Sequence, residues 1–158
     1  MLTHASAARA PRRAPPTLSL KPPEPWAPLL DSLGGVDDEH IIVLGKDGPD
    51  LMCALLRAGA PQVTHLCTHE RLEADSASLV IVPRPGAPDW LTGALPSIRR
   101  ALGPNGRLAL CIDPLPSVQS RIRRLLTLHG FAGVRASRAG GRQMLCTEVP
   151  AFGLARCA

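Results

Sequence analysis

Residues 41–60 read IIVLGKDGPDLMCALLRAGA. Four apolar residues ending at Gly45 have the length and composition of a buried strand. Pro49 suits the first turn of a helix, with Asp47 or Gly48 as its cap. Leu51, Met52, Leu55 and Leu56 then recur at helical spacing to form one apolar stripe, and Gly59 ends the run. A strand, a glycine turn and an amphipathic helix in that order open an α/β domain with a parallel sheet. The turn itself is unusual, because Lys46, Asp47 and Pro49 stand where such turns favour small residues.

The same alternation continues downstream. Residues 62–68 and 79–82 read as two further strands, joined by an acidic connection over 70–78, and Pro83 closes the second of them. A helix is expected over 90–102 from the stripe Leu91, Leu95, Ile98 and Leu102. Pro96 would fall in its interior, which predicts a kink or a start near Leu95. The run Gly103-Pro104-Asn105-Gly106 ends it. Residues 108–112 form a wholly apolar fourth strand, and 117–129 a second long helix. Residues 131–136 and 144–149 then read as a strand pair around Gly140 and Gly141. Strands separated by helices need crossover connections, so the sheet is expected to be open and mostly parallel, with helices on both faces. The short final link makes the last strand antiparallel.

At 158 residues and 45% hydrophobic, the chain has the length for one domain with a real core. Residues 1–28 are basic and rich in proline, and are expected to be a disordered or extended tail. Residues 29–40 lead in, with a short docking helix over 26–33 stopped by Gly34 and Gly35. Residues 41–150 form the α/β domain, and 151–158 a C-terminal extension. The net charge of +5 hides an uneven distribution of +4 over residues 1–23, −6 over 24–88 and +7 over 89–158. Such halves attract one another within a fold or between copies. The basic half also suits an anionic partner, nucleic acid included, although charge by itself does not select one. Scarce aromatics argue against stacking platforms for bases.

The five cysteines show no CxxC spacing, and Cys67, Cys111 and Cys146 fall in apolar strand-like runs. Reduced, buried thiols in a cytoplasmic protein are the economical reading. No run approaches the roughly 18 apolar residues of a membrane span. The Arg-rich, acid-poor N-terminus is compatible with a transit peptide, but its seven prolines within 28 residues oppose the amphipathic helix such a peptide needs.

Two joints in the back half carry a resemblance. Leu95-Pro-Ser-Ile-Arg-Arg-Ala-Leu-Gly-Pro-Asn-Gly-Arg-Leu-Ala-Leu110 is similar to a helix that ends in a Leu-x-Pro-Gly-Gly turn and feeds the next strand. Leu126-Thr-Leu-His-Gly-Phe131 is similar to a later helix that ends in Ala-Gly-Phe. Over residues 41–150 the chain resembles the class I S-adenosylmethionine-dependent methyltransferases. The resemblance implies a Rossmann-like fold and, if the site is active, S-adenosylmethionine as cofactor.

It also implies where that cofactor would lie. The family's first turn carries an acid, a hydrophobic residue and Gly-x-Gly-x-Gly, whose glycines let the backbone approach the methionine part. Here Gly45 matches the first glycine, Asp47 falls on the second, Pro49 on the third, and Val43 takes the acid's place. Asp47 would repel the cofactor's carboxylate, with Lys46 beside it as partial compensation. A one-residue shift would instead bring Gly48 into the second glycine's role. The acid that accepts the ribose hydroxyls at the end of strand two is replaced by Cys67, which cannot supply that pair of acceptors. Asp75 is the candidate for the acidic residue near the adenine, and Ser78 stands in place of the usual Asp at the next strand's start. The cofactor candidates are therefore Gly45, Lys46, Asp47, Gly48, Cys67 and Asp75.

Other constellations carry less. His65, Cys67 and His69 alternate along one expected strand, but alternate side chains on a straight strand stand about 6.6 Å apart, too wide for three to converge on one ion. No metal is expected. Pro83-Arg84-Pro85-Gly86 follows a strand whose end faces the ligand edge of an open sheet, yet it lacks an Asn or Asp to accept a hydrogen bond from a substrate amine. Arg99, Arg100, Arg121, Arg123 and Arg124 fit the charged outer face of two helices. No phosphate-binding loop or Ser-His-Asp order can be assembled. Two functions follow: a degenerate methyltransferase-like domain acting through a protein partner or self-association, or an active methyltransferase with an atypical cofactor loop. No catalytic residue is singled out.

Overall fold

The computed structural model describes residues 26–86, 88–139 and 141–151. Most of the tail assigned to 1–28 and of the extension at 151–158 lies outside these residues. The elements run in the order α1 (Ala27–Leu33), β1 (His40–Leu44), α2 (Gly48–Arg57), β2 (Gln62–Leu66), a 3-10 turn (His69–Arg71), β3 (Leu79–Val82), α3 (Pro88–Leu102), β4 (Arg107–Ile112), α4 (Pro116–Leu128), β5 (Ala132–Ala139) and β6 (Arg142–Glu148). The six strands form one sheet in the order β2-β1-β3-β4-β6-β5. β1 to β4 are parallel, while β6 runs antiparallel to both β4 and β5.

Strand residues alternate between two cores. Ile42, Leu44, Val80, Val82, Leu108 and Leu110 face α3 and α4. Ile41, Val43, Leu79, Ile81, Ala109 and Cys111 face α1 and α2. Because both faces are covered, β1, β3 and β4 read as unbroken apolar runs, as central parallel strands do. β2 is an edge strand with no fully buried residue, which explains its mixed polarity.

Three expectations are corrected. β2 ends at Leu66, so Cys67 lies in a bend and His69 in the 3-10 turn, and the alternation of His65, Cys67 and His69 on one strand does not exist. α3 begins at Pro88 and passes through Pro96, so of the two readings for that helix the start near Leu95 is overturned. Pro96 is exposed, while Leu91, Leu95 and Ile98 beneath it are fully buried. Burying each of those side chains contributes about 1.5–3 kcal/mol, which together exceeds the roughly 3 kcal/mol cost of an interior proline. Finally, the thiols are not uniformly buried. Cys111 is buried and Cys146 half-buried, but Cys53 and Cys67 are exposed, and all four are free. No helix among the described residues is long and apolar enough to cross a membrane.

The amino ends of the strands are clamped by one polar cluster. Arg107 pairs with Glu39 at 2.6 Å and donates to the Leu33 carbonyl at 2.9 Å, joining β4 to β1 and to the end of α1. The Ser78 hydroxyl donates to the Glu39 carboxylate and accepts from the His40 amide at 2.9 Å. Ser78 therefore acts as a joint between β1 and β3 at the amino ends of the sheet.

Candidate functional site

The turn after β1 lies at the carboxyl edge of the sheet. Gly45 has φ +123°, which a side chain rarely tolerates, and its amide donates to the Leu66 carbonyl at 2.9 Å. The turn is thereby tied to the end of β2. Parallel pairing sets His65 opposite Val43, on the sheet face that carries α2. From there its Nε2 lies 2.6 Å from the Gly45 carbonyl oxygen. A carbonyl only accepts, so Nε2 carries the proton and donates. The same ring packs on Gly48 so closely that a β-carbon there would fall 1.8 Å from His65 Cδ2.

Asp47 occupies the N-cap position of α2 but makes no capping hydrogen bond. Its carboxylate instead reaches across to Arg84 Nε at 3.1 Å, linking the β1 turn to the loop after β3. With side chains 65% and 39% exposed, this pair is worth about 0–1 kcal/mol. Lys46 is exposed, and Asp47's ion-pair partner is Arg84, not its neighbour. Cys67 stands exposed one residue beyond the Leu66 carbonyl that holds Gly45.

Gly45, Lys46, Asp47, Gly48 and Cys67 thus share one edge. Asp75 does not join them. It takes φ +51°, its amide donates to Arg100 in the last turn of α3 at 3.0 Å, and its carboxylate lies against Gly103. These contacts hold it at the amino end of β3, across the sheet from the turn. His69 stands edge-on to Trp90 at 5.9 Å, with Nδ1 buried and lacking a hydrogen-bond partner among the described residues. No group of three or more metal-ligating side chains converges among those residues. Of the arginines expected on the outer helix face, Arg99, Arg100, Arg121 and Arg124 are exposed, whereas Arg123 donates to the Val134 carbonyl of β5 at 3.2 Å.

Beside the turn, the loop after β3 that carries Arg84, the carboxyl end of β4, the start of α3 and one side of α4 from Ser117 to Leu125 line a cleft of about 550 Å³. Leu91, Ile122 and Leu125 contribute to its walls, and Arg84, Arg121, Arg142 and Asp113 bring charge to it. Cys111, at the carboxyl end of β4, borders the cleft but turns its side chain toward α2, and burial pushes its thiol up to about 11, against the opposing charge of Arg142. It is therefore a protonated, poorly nucleophilic group at neutral pH. His65 and Arg84 were not expected as partners of the turn. Only the register of β2 against β1, and the reach of an arginine from the next loop, bring them there.

The fold is that of the class I S-adenosylmethionine-dependent methyltransferases. No family model and no curated protein matches the sequence. Among solved structures, a ribosomal protein L11 methylase from Lactobacillus delbrueckii subsp. bulgaricus superposes with a TM-score of 0.61 at 16% identity, over 75% of this chain and 74% of that one. The 1,6-didemethyltoxoflavin-N1-methyltransferase of Burkholderia thailandensis, solved with S-adenosylhomocysteine bound, gives 0.55 at 13% identity over 76% and 74%. An O-methyltransferase family protein from the same organism gives 0.59 at 12% identity, over 80% of this chain but 56% of its own. At these identities the likeness is one of fold.

Proposed function

We propose that this chain is a methyltransferase-like domain whose cofactor turn is closed by its own side chains and which acts by binding another protein. The observation that carries this is His65, seated on Gly48 and bonded to Gly45, where the fold would otherwise leave bare backbone for the cofactor's methionine part. Three further features support it. The Asp47 carboxylate, held by Arg84, would face the cofactor's own carboxylate. Cys67 offers the ribose no bidentate acceptor. Asp75 lies at the wrong end of the sheet to reach the adenine. On this reading the residues present do not fit S-adenosylmethionine.

The rival reading is an active methyltransferase with an atypical loop, and one observation favours it. The Asp47–Arg84 pair is exposed, so opening it costs little. Methyl transfer also depends chiefly on holding two reactants in line, which does not demand a dedicated base.

Calorimetric titration separates the two. We expect S-adenosylmethionine and its demethylated product to bind more weakly than about 1 mM, the affinity of a few scattered contacts. Micromolar binding that is lost in Gly45→Arg would overturn the closed-turn reading. The partner is sought in the same study by affinity capture with the full chain and with residues 29–158. Recovery of no specific partner by either would count against action through protein binding.

A further inference from the structure

The cleft beside the turn has the size and wall chemistry of a small-molecule site. Its roughly 550 Å³ fall within the range of about 300–1,000 Å³ typical of such sites. Its apolar wall comes from α3 and α4, through Leu91, Ile122 and Leu125. Its charge is not balanced internally. Arg84 is engaged by Asp47. Arg142 opens β6 one residue beyond the Ile112–Gln143 pairing, which sets it beside Asp113, yet no ion pair joins the two among the described residues. One nitrogen of Arg142 donates to the Pro83 carbonyl at 3.3 Å, which fixes the guanidinium over the end of β3 and leaves further donors. Arg121, on the exposed face of α4, makes no hydrogen bond or ion pair among the described residues.

We propose that this cleft binds a small organic anion with an apolar body, its charged group held by Arg121 and Arg142 and its body laid against Leu91, Ile122 and Leu125. An inorganic anion would leave the apolar wall in contact with water, and a neutral hydrocarbon would leave both guanidiniums unmatched. An alkyl or aryl carboxylate or sulfonate satisfies both, because arginine recognises planar oxyanions through paired donors. This site is separate from the glycine turn and does not rest on that turn being closed.

The test is a fluorescence titration of the full chain with anilinonaphthalenesulfonate, an aromatic anion, followed by displacement with octanoate or octylammonium at equal concentration. One saturable site per chain is expected, emptied by octanoate and not by octylammonium. Arg121→Glu should weaken the dye at least about tenfold, the scale of a lost charge-assisted hydrogen bond, and Arg121→Lys should fall between. Equal displacement by the two octyl compounds, unchanged affinity in Arg121→Glu, or no saturable binding would each overturn the proposal. Should Arg121→Glu lower the melting temperature, the octanoate and octylammonium comparison on the unaltered chain decides. S-adenosylmethionine binding measured separately by calorimetry reports on the turn, so either reading can fail without the other.

Discussion

His65 occupies the space that a side chain at position 48 would need, since a β-carbon there would lie 1.8 Å from its Cδ2. Gly48→Ala should therefore cost about 1–3 kcal/mol, the range for forcing extra volume into a packed site. In a His65→Ala background the same change should be neutral or stabilising by up to about 1 kcal/mol, because alanine is the better helix former. Urea denaturation of the four chains completes the cycle, and an equal cost in both backgrounds would show that His65 is not the obstacle. Cys111 gives a second residue-scale prediction. Its folded thiol titrates at about 11, against an ordinary value of 9.0, chiefly because burial disfavours the thiolate. Between those values the unfolded chain has lost the proton and the folded chain keeps it. Stability is thus fully present below pH 9 and should fall by up to about 1.4 kcal/mol per pH unit above it. Burial raises Cys146 too, which adds in the same direction. Cys111→Ala should flatten the loss, and an unchanged profile would refute the assignment. At pH 8, alkylation of the native protein should modify Cys53 and Cys67 and spare Cys111, as mapped by mass spectrometry.

At the scale of elements, α3 shows how packing outweighs a local rule. Local rules place a kink at Pro96 or a helix start near Leu95, yet the helix begins at Pro88 and the apolar stripe on either side of Pro96 is fully buried. Because Pro96 is exposed and contributes nothing to that core, Pro96→Ala should raise stability by about 2–2.6 kcal/mol. This estimate sets the gain from removing an interior proline against roughly 0.4–1 kcal/mol for loosening the unfolded chain. Thermal unfolding measures it, and a lower melting temperature would mean that the proline is needed for the shape of the helix. β2 illustrates the opposite limit. Its alternating polarity is legible in residues 62–66, but nothing local announces that the strand stops at Leu66. An edge strand has one neighbour, and its length follows where β1 ends beside it.

Across the whole molecule, the acidic front and basic back halves meet through Glu39 and Arg107, the one ion pair among the described residues that joins them. That pair lies at the amino ends of the strands, while the turn, Arg84 and the cleft lie at the carboxyl ends. The polar clamp and the open cleft are thus placed at opposite edges of the sheet. The sequence alone determined the order of strands and helices, the two apolar faces, the antiparallel final pair and the departure of the glycine turn from its family pattern. Each of these follows from hydrophobic period, helix stops and turn chemistry, which act over a few residues. The tertiary structure decided which side chains meet at the turn. It brought His65 from the neighbouring strand and Arg84 from a loop almost forty residues away onto residues 45–48, and it carried Asp75 to the far edge. Register and crossover connections set those distances, and neither is written in the spacing of residues along the chain.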